Sequence, residues 1–600
     1  MSAAELVVVI VKIAILLGFF LTMAAVGIWA DRRQSAMVQD RVGPNRAVFH
    51  LPSMVVRGIV LLPPTLFAAL AVLPAVAPLL PPWLFPAYHD LRPASAFEIL
   101  TDSLQIAVLV GWVSLALLAG TVRRSGAMNA FEALFVDVDP RTIFYAGVAL
   151  HAVGFAVTSS LSVDAVVPAA RAASALLAVI LCVAGIYTAS RVPDGPIPVR
   201  LAGLVHSVAD VIKLLMKEDF IPKNADRLLH GLAPMIALFP AFVTMAVLPF
   251  GSRLCVQGDP RQALTFNDLA HPAYQMGRDG ICHGHGVGLQ IADLNVGILY
   301  IFAMSGTGVV GAALAGWASD NKFSLLGGLR AASQMVSYEV AMGLSLVGLF
   351  LVYGGVRLSA MVEWQGENTW GIFVQPFAFF LFLTALVAET KRTPFDQPEG
   401  ESEIVAGYFL EYSGMKFGMF FMGEYIELFL SSALLVTLFF GGYQLPFLHP
   451  DGVLVAFGET TLFAYKMNHV AVVLIGMVAF FGKTMLMAFV QIFFRWTLPR
   501  FRYDQVMKLG WTKLLPFSLA NIMVTGVLVL AAHDAGPGVS AILKVAADAT
   551  QALVALSALA ALVALIVGLL EPIERKKFLA STTARFAAAA GGTKATPQQA

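Results

Sequence analysis

Between Lys391 and Gly414 the chain reads KRTPFDQPEGESEIVAGYFLEYSG, crowding Asp396, Glu399, Glu401, Glu403 and Glu411 together, with Glu389 just upstream. A charged side chain in a greasy setting is costly unless it faces water, a partner or a functional path. Carboxylates close to one another raise each other's pKa and titrate as a coupled set, so such a group can hold and pass protons. Glu399, Glu403 and Glu411 stand at i, i+4 and i+12, which predicts that they lie close to one helix face. Glu424 and Glu427 continue the acids at i, i+3, and Glu339 is expected near the start of its own span. The plainer reading is that these acids cap helices, pair with Arg330, Lys391 and Arg392, or lie in a solvated loop. For Glu339, Glu411 and Glu424, set in apolar sequence, the functional reading is the better one.

The elements that would position them are membrane helices. Hydrophobic residues make up 58% of the 600 positions and charged ones 13%, too greasy for a soluble chain. The runs are long and lack strand alternation, so the expected fold is all-α, a polytopic transmembrane bundle. Spans are expected near 5–29, 54–80, 104–121, 142–163, 169–189, 232–250, 291–317, 335–354, 371–390, 412–440, 467–494, 514–532 and 546–570, about 13 in all. The first run, Leu6 to Trp29, ends in Asp31-Arg32-Arg33 rather than a cleavage site and is expected to be retained. Basic clusters after the first, ninth, eleventh and last spans fall on one side, predicting an amino terminus outside and a carboxyl tail in the cytoplasm. Val199 to Phe220 puts Leu201, Leu204, Val205, Val208, Val211, Ile212 and Leu215 on one stripe opposite Asp210, Lys213 and Lys217. That is an amphipathic helix for the membrane interface.

Net charge is +1, so nothing argues for nucleic acid. Three cysteines without a CxxC pair and no helical histidine pair at sensible depth point to a chain with no iron–sulfur cluster or haem of its own. Gly306-x-Gly308-x-x-Gly311 has the spacing of a dinucleotide fingerprint but lies inside an apolar span, where small residues let helices approach. Cys282-His283-Gly284-His285 resembles a metal tract without a fourth ligand, and a disulfide between Cys255 and Cys282 is the stronger reading. Lys483, within a span, is either snorkelling or paired, or else part of a proton path.

Six motifs then carry a resemblance: MVQDRVGPNR (Met37–Arg46), VADVIKLLMKEDFIP (Val208–Pro222), IADLNVGILY (Ile291–Tyr300), GWASDNKFSLLGGLRAASQMVSYEV (Gly316–Val340), PFDQPEGESEIVAGYFLEYSGMKFGMFFMGEY (from Pro394) and RWTLPRFRYDQVMKLGW (Arg495–Trp511). Together they resemble the H-type, quinone-channel membrane subunit of respiratory complex I, the proton-pumping NADH:quinone oxidoreductase, over about 1–46 and 200–532. The resemblance implies a quinone chamber shaped by Asp31, Arg32, Gln39, Arg41, Gly43 and Pro44, with Asp210 and Lys213 at its entrance. It implies an acidic path of Glu339, Asp396, Glu399, Glu401, Glu403, Glu411 and Glu424, supported by Arg330, Lys391 and Arg392. Quinone would be the substrate, with no flavin, haem or cluster on this chain. Partners would be the peripheral-arm and small membrane subunits and lipid, in the bacterial inner membrane.

Departures from the family are visible. Residues 47–199 form an insertion with four apparent spans, an even number that leaves the core orientation unchanged. Asp31 stands where the family usually has glutamate, His206 where it has glutamine and Gln397 where it has leucine. The expected organisation is 1–46 first span and chamber element, 47–199 insertion, 200–532 core, 533–580 an extra span and 581–600 a disordered tail. The rival readings are the homologous subunit of an energy-converting hydrogenase or formate hydrogenlyase, and a stand-alone transporter, for which an internal repeat would be expected.

Overall fold

The computed structural model describes residues 2–39, 43–44, 49–52, 54, 197–199, 204–256, 264–265, 282, 284–449, 452–457, 460–466, 469–533, 544–557 and 560. The four spans expected across 54–189, apart from Met54, lie outside the described residues, as do Arg41, about half of the last span and the tail.

Among the described residues, seven helices are long and apolar enough to cross a membrane; four of the thirteen expected spans fall outside those residues. α1 (Ala3–Val38) opens on a capping box: Ser2 accepts from the Glu5 amide while Glu5 accepts from the Ser2 amide, satisfying free donors of the first turn. Its 36 residues rise roughly 54 Å at 1.5 Å each, more than a hydrocarbon core requires, so its Asp31–Val38 end projects into the polar end of the bundle. α2 (Val205–Met216) is shorter than the amphipathic run expected. Ser207 bonds Ala25 in α1 at 2.9 Å, while Val208, Val211, Ile212 and Leu215 are exposed. An apolar stripe turned away from the bundle is what a helix lying on a lipid surface presents.

α3 (Arg227–Thr244), α4 (Gly297–Ala318) and α5 (Lys322–Tyr353) pack side by side. The glycine spacing within α4 works as packing. A Cβ on Gly311 would meet the Ala237 backbone at 2.6 Å, and one on Gly316 would meet Gly328 of α5 at 3.0 Å, so the helices touch backbone to backbone. α6 (Leu358–Glu367) and α7 (Gly371–Val374) precede α8 (Pro376–Glu389), where a span over 371–390 was expected. The observed helix has only 14 residues. Pro376 at its start cannot donate to the preceding turn, which separates it from α7. α9 (Glu401–Ile404) leads to α10 (Gly414–Phe439), the helix buried on most of its sides by α1, α3 and α11 (His469–Thr497). α12 (Tyr503–Leu509) continues through a π-turn into α13 (Leu515–His533), against α5.

The fold is mostly helical, as expected, and three small antiparallel sheets join it among the described residues. β1 (Phe49–Leu51) pairs with β2 (Ile197–Val199), Phe49 opposite Val199. β3 (Gly251–Val256) pairs with β4 (His285–Leu289), and Cys255 is disulfide-bonded to Cys282, Cα–Cα 5.6 Å. β5 (Leu448–His449), β6 (Gly452–Phe457) and β7 (Thr460–Lys466) form a meander. These strands lie in connections between helices, where turn chemistry and pairing outweigh an apolar period. With the Cys282 sulfur taken up in the disulfide, the metal reading of its tract loses its thiolate.

Candidate functional site

The acids gather at the polar end, where α1, α5, α8 and α10 meet the connection 390–413. Asp31, at the end of α1, is buried and accepts from Tyr425 Oη at 2.8 Å, Arg495 Nη1 at 2.6 Å and Trp496 Nε1 at 2.7 Å. One carboxylate thereby ties α1 to α10 and α11, a role its expected place in a chamber wall did not foretell.

From Tyr425 the array runs inward. The Arg392 guanidinium lies over the Tyr425 ring, 4.4 Å from its centroid, and 3.1 Å from Glu424 Oε2. Both charges are deeply buried, with side-chain exposures of 6% and 4%. The Arg392–Glu424 contact is an ion pair by distance and not an aligned hydrogen bond, because Arg392 Nε and Nη2 have no acceptor in hydrogen-bond geometry among the described residues. Glu424 also accepts from Tyr408 Oη at 2.9 Å. Glu399 faces Glu424, Asp396 and Arg392. Burial pushes the Glu399 carboxyl well above the usual carboxylate range, and its two acidic neighbours push it further. Asp396 is pushed up to about 6 by burial, against the pull of Arg500 and Arg495. Arg500 Nη2 bonds it at 2.6 Å. Burial works against the charge on Lys391, and Glu427, Glu424, Glu389 and Glu399 outweigh it, so that its pKa rises.

On the other flank Lys391 stands 3.7 Å from Glu427. Glu389, buried with neither carboxyl oxygen hydrogen-bonded among the described residues, neighbours Glu427, Lys391 and Glu339. Glu339 is half-buried, and a Cβ on Gly306 would come within 3.2 Å of its Oε1. Gly306 thus gives that carboxyl room between α4 and α5. The resulting file passes from Asp31 through Tyr425, Arg392 and Glu424 to Glu427, Glu389 and Glu339.

Several expectations need correction. Glu399, Glu403 and Glu411 do not share a helix face, because only Glu401–Ile404 is α-helical there. Val405 and Gly407 take positive φ of 67° and 63°, which breaks the helix. Glu399 turns inward, Glu403 reaches outward to Arg330 at 2.7 Å, and Glu411 accepts from Asn321 Nδ2 at 2.7 Å. Glu339 sits midway along α5, which begins at Lys322 and not near 335. The plainer reading also holds for part of the set: Asp31, Asp396, Glu403 and Glu424 have cation partners. Glu339, Glu389 and Glu399 have no ion pair among the described residues. Glu389 and Glu427 belong to the file although the acidic path expected from the sequence left both out.

Of the expected chamber residues, Arg32 pairs with Asp210 at 2.7 Å, joining α1 to α2. Gln39 and Lys213 are exposed, and Gly43 and Pro44 half-buried. Arg41 lies outside the described residues, as does the side chain of Glu401. Lys483 donates to the carbonyls of Phe440 at 2.8 Å and Gln444 at 2.9 Å and lies over the Trp370 ring. It serves as a cationic cap for the carboxyl end of α10.

The 390–400 segment is fastened from two directions. Gln334 Nε2 donates to the carbonyls of Ala388 at 2.7 Å and Phe395 at 2.8 Å. Gln397 Nε2 donates to the Phe501 carbonyl, and the Phe501 amide donates to Pro394 O at 3.1 Å.

The profile of the family described as NADH dehydrogenase matches residues 172–526. The chain is 44% identical over 332 residues to an H-type NADH-quinone oxidoreductase subunit of Geobacter metallireducens, covering 55% of this chain and 85% of that protein. It is 40% identical over 328 residues to the H-type counterpart in Cytophaga hutchinsonii, covering 55% of this chain and 84% of the relative. Identity to NADH-quinone oxidoreductase subunit 8 of Rhodothermus marinus is 41% over 337 residues, 55% of this chain and 85% of the relative.

Proposed function

The chain belongs to the NADH dehydrogenase family as the H-type membrane subunit of complex I, and from that premise we propose that it shapes the quinone chamber and carries the protonatable file that couples quinone reduction to proton movement. It is a membrane subunit of an oxidoreductase complex, and the other subunits of that complex are its partners. The chamber is assigned to Asp31, Arg32, Gln39, Arg41, Gly43 and Pro44, with Asp210 and Lys213 at the entrance, and the coupling path to the acids from Asp396 to Glu339. The electrons come from the peripheral subunits, and this chain contributes position and charge.

The observation that supports this most is the file of neighbouring buried and half-buried ionisable groups from Asp31 to Glu339. Adding electrons to a quinone creates negative charge that protons must neutralise. Arg392 and Lys391 feel that charge first, and a proton held at Glu399 relieves it. Burial, and then the neighbouring Glu424 and Asp396 carboxylates, raise the Glu399 carboxyl above the usual range, so it holds a proton readily. Moving a charge against the membrane potential costs about 2.3 kcal/mol per 100 mV, so the file must be driven by the redox step.

The same reading puts the protein in the bacterial inner membrane, amino terminus outside and carboxyl tail in the cytoplasm, with 200–532 as the core and 47–199 as the insertion. The names of the relatives favour it over the hydrogenase alternative. Glu424→Gln in the complex reconstituted in vesicles is expected to lower the protons moved per quinol formed. A ratio equal to that of the unaltered complex would remove Glu424 from the path.

A further inference from the structure

The stretch from α2 into α3 divides its charges unequally. Asp210 is paired with Arg32 at 2.7 Å and Asp219 with Lys416 at 2.9 Å, while Asp226 accepts from the amides of Leu228 at 3.0 Å and Leu229 at 3.1 Å. Each of these acids is committed to holding the stretch to α1, α10 or α3. Lys213, Lys217, Lys223 and Arg227 are exposed, and none forms an ion pair among the described residues. The exposed Glu218 is the one acid of the stretch left to answer them.

The same stretch turns apolar side chains outward. Val208, Val211, Ile212 and Leu215 recur at i, i+3, i+4 and i+7, which puts them on one face of α2, and all are exposed. The adjoining face is held to the bundle, Ser207 by the Ala25 carbonyl and Leu214 beside Gly418 of α10. A helix with an apolar stripe toward acyl chains and lysines on its polar side lies at the depth of the lipid headgroups. Helix electrostatics accounts for only part of the positive charge. Lys213 and Lys217 stand at the carboxyl end of α2, where a cation is favoured, but Arg227 opens α3, where free amides already present positive charge. Lys223 belongs to neither helix.

We propose that the α2–α3 stretch is a binding surface for anionic phospholipid, with Lys213, Lys217, Lys223 and Arg227 on the headgroup phosphates and the α2 stripe among the acyl chains. An acidic protein surface would answer the cations but not the apolar stripe beside them. A phospholipid with a net negative headgroup answers both.

The test uses the whole complex in vesicles that carry a trace of photoactivatable phosphatidylglycerol or, separately, photoactivatable phosphatidylcholine, with cross-linked peptides mapped by mass spectrometry. In the unaltered complex, residues 205–228 are expected to take up roughly threefold or more phosphatidylglycerol over phosphatidylcholine, and the preference is expected to fall as salt is raised. Lys217→Gln, Lys223→Gln and Arg227→Gln together are expected to bring the two yields level, while Lys217→Arg with Lys223→Arg keeps the preference. Equal labelling by the two lipids in the unaltered complex overturns the inference, and so does a preference that survives the triple variant. Weak labelling by both lipids, with a soluble subunit lost from the triple variant, assigns the cations to a protein partner and also overturns it. If the triple variant does not assemble, Lys223→Gln alone, a change outside both helices, decides: a lowered preference supports the lipid surface and an unchanged one overturns it.

Discussion

Tyr425 donates its hydroxyl proton to Asp31 across 394 positions of sequence, 2.8 Å away. With Arg495 and Trp496 on the same carboxylate, Asp31 is where three helices are held at a common height. Asp31→Ala leaves the Arg495 charge partly buried and two donors unmet, and is expected to destabilise the subunit by about 3 kcal/mol. Asp31→Glu keeps the charge and adds one methylene to a tight site, for about 1 kcal/mol. Thermal denaturation of the purified complex ranks the two; equal melting temperatures for Asp31→Ala and the unaltered chain would refute the tie.

Asp396 and Arg500 form the outer latch of the acidic segment. The Asp396 carboxyl, normally near 3.8, is raised to about 6, so below that pH it is protonated and the pair with Arg500 weakens, while above it the pair is intact. The folded state also holds this proton more tightly than the unfolded chain does. Its contribution to stability is therefore fully present below 3.8 and is lost as pH rises through about 6. Quinone reduction is expected to fall on the acid side with a midpoint near 6, and Asp396→Asn is expected to remove that limb. A limb unchanged in the variant would assign the titration elsewhere.

Gly311 lets α4 lie against α3. Because a Cβ there would stand 2.6 Å from the Ala237 amide nitrogen, Gly311→Val forces backbone to move, at about 1–3 kcal/mol. Gly343, with nothing within 4 Å of an added Cβ, is the control: Gly343→Ala should leave the melting temperature nearly unchanged. If both variants melt alike, the close approach of α3 and α4 has no energetic weight.

The Cys255–Cys282 bond closes a loop with a separation of 27 residues, which limits the unfolded chain by roughly 2–4 kcal/mol. Cys255→Ser with Cys282→Ser is expected to lower the melting temperature under oxidising conditions and to abolish its response to reductant. A reductant response that persists in the double variant would point to another thiol.

The helices were legible because hydrocarbon demands long apolar runs, and the acids because such residues are rare within them. Where each acid points was not legible. Val405 has positive φ in a segment whose spacing suits a helix, and only the packing of Gly327 against Gly407 shows why the chain turns there. Glu389 was hidden by its ordinary position at a helix end; its burial comes from neighbours far away in sequence. The short strands escaped for a related reason: each needs a partner from another segment before its pattern has a purpose.

That last point bears on β1 and β2. With Phe49 opposite Val199, residues 49 and 199 are held face to face across one two-stranded ladder. The Arg32–Asp210 pair fixes α1 against α2 just beyond that ladder, so the spacing of the two helices is set there and not by the number of residues between the strands. A sequence change confined to that stretch leaves Asp31 and Asp210 where they are, a ready means of fitting one core machine to new neighbours.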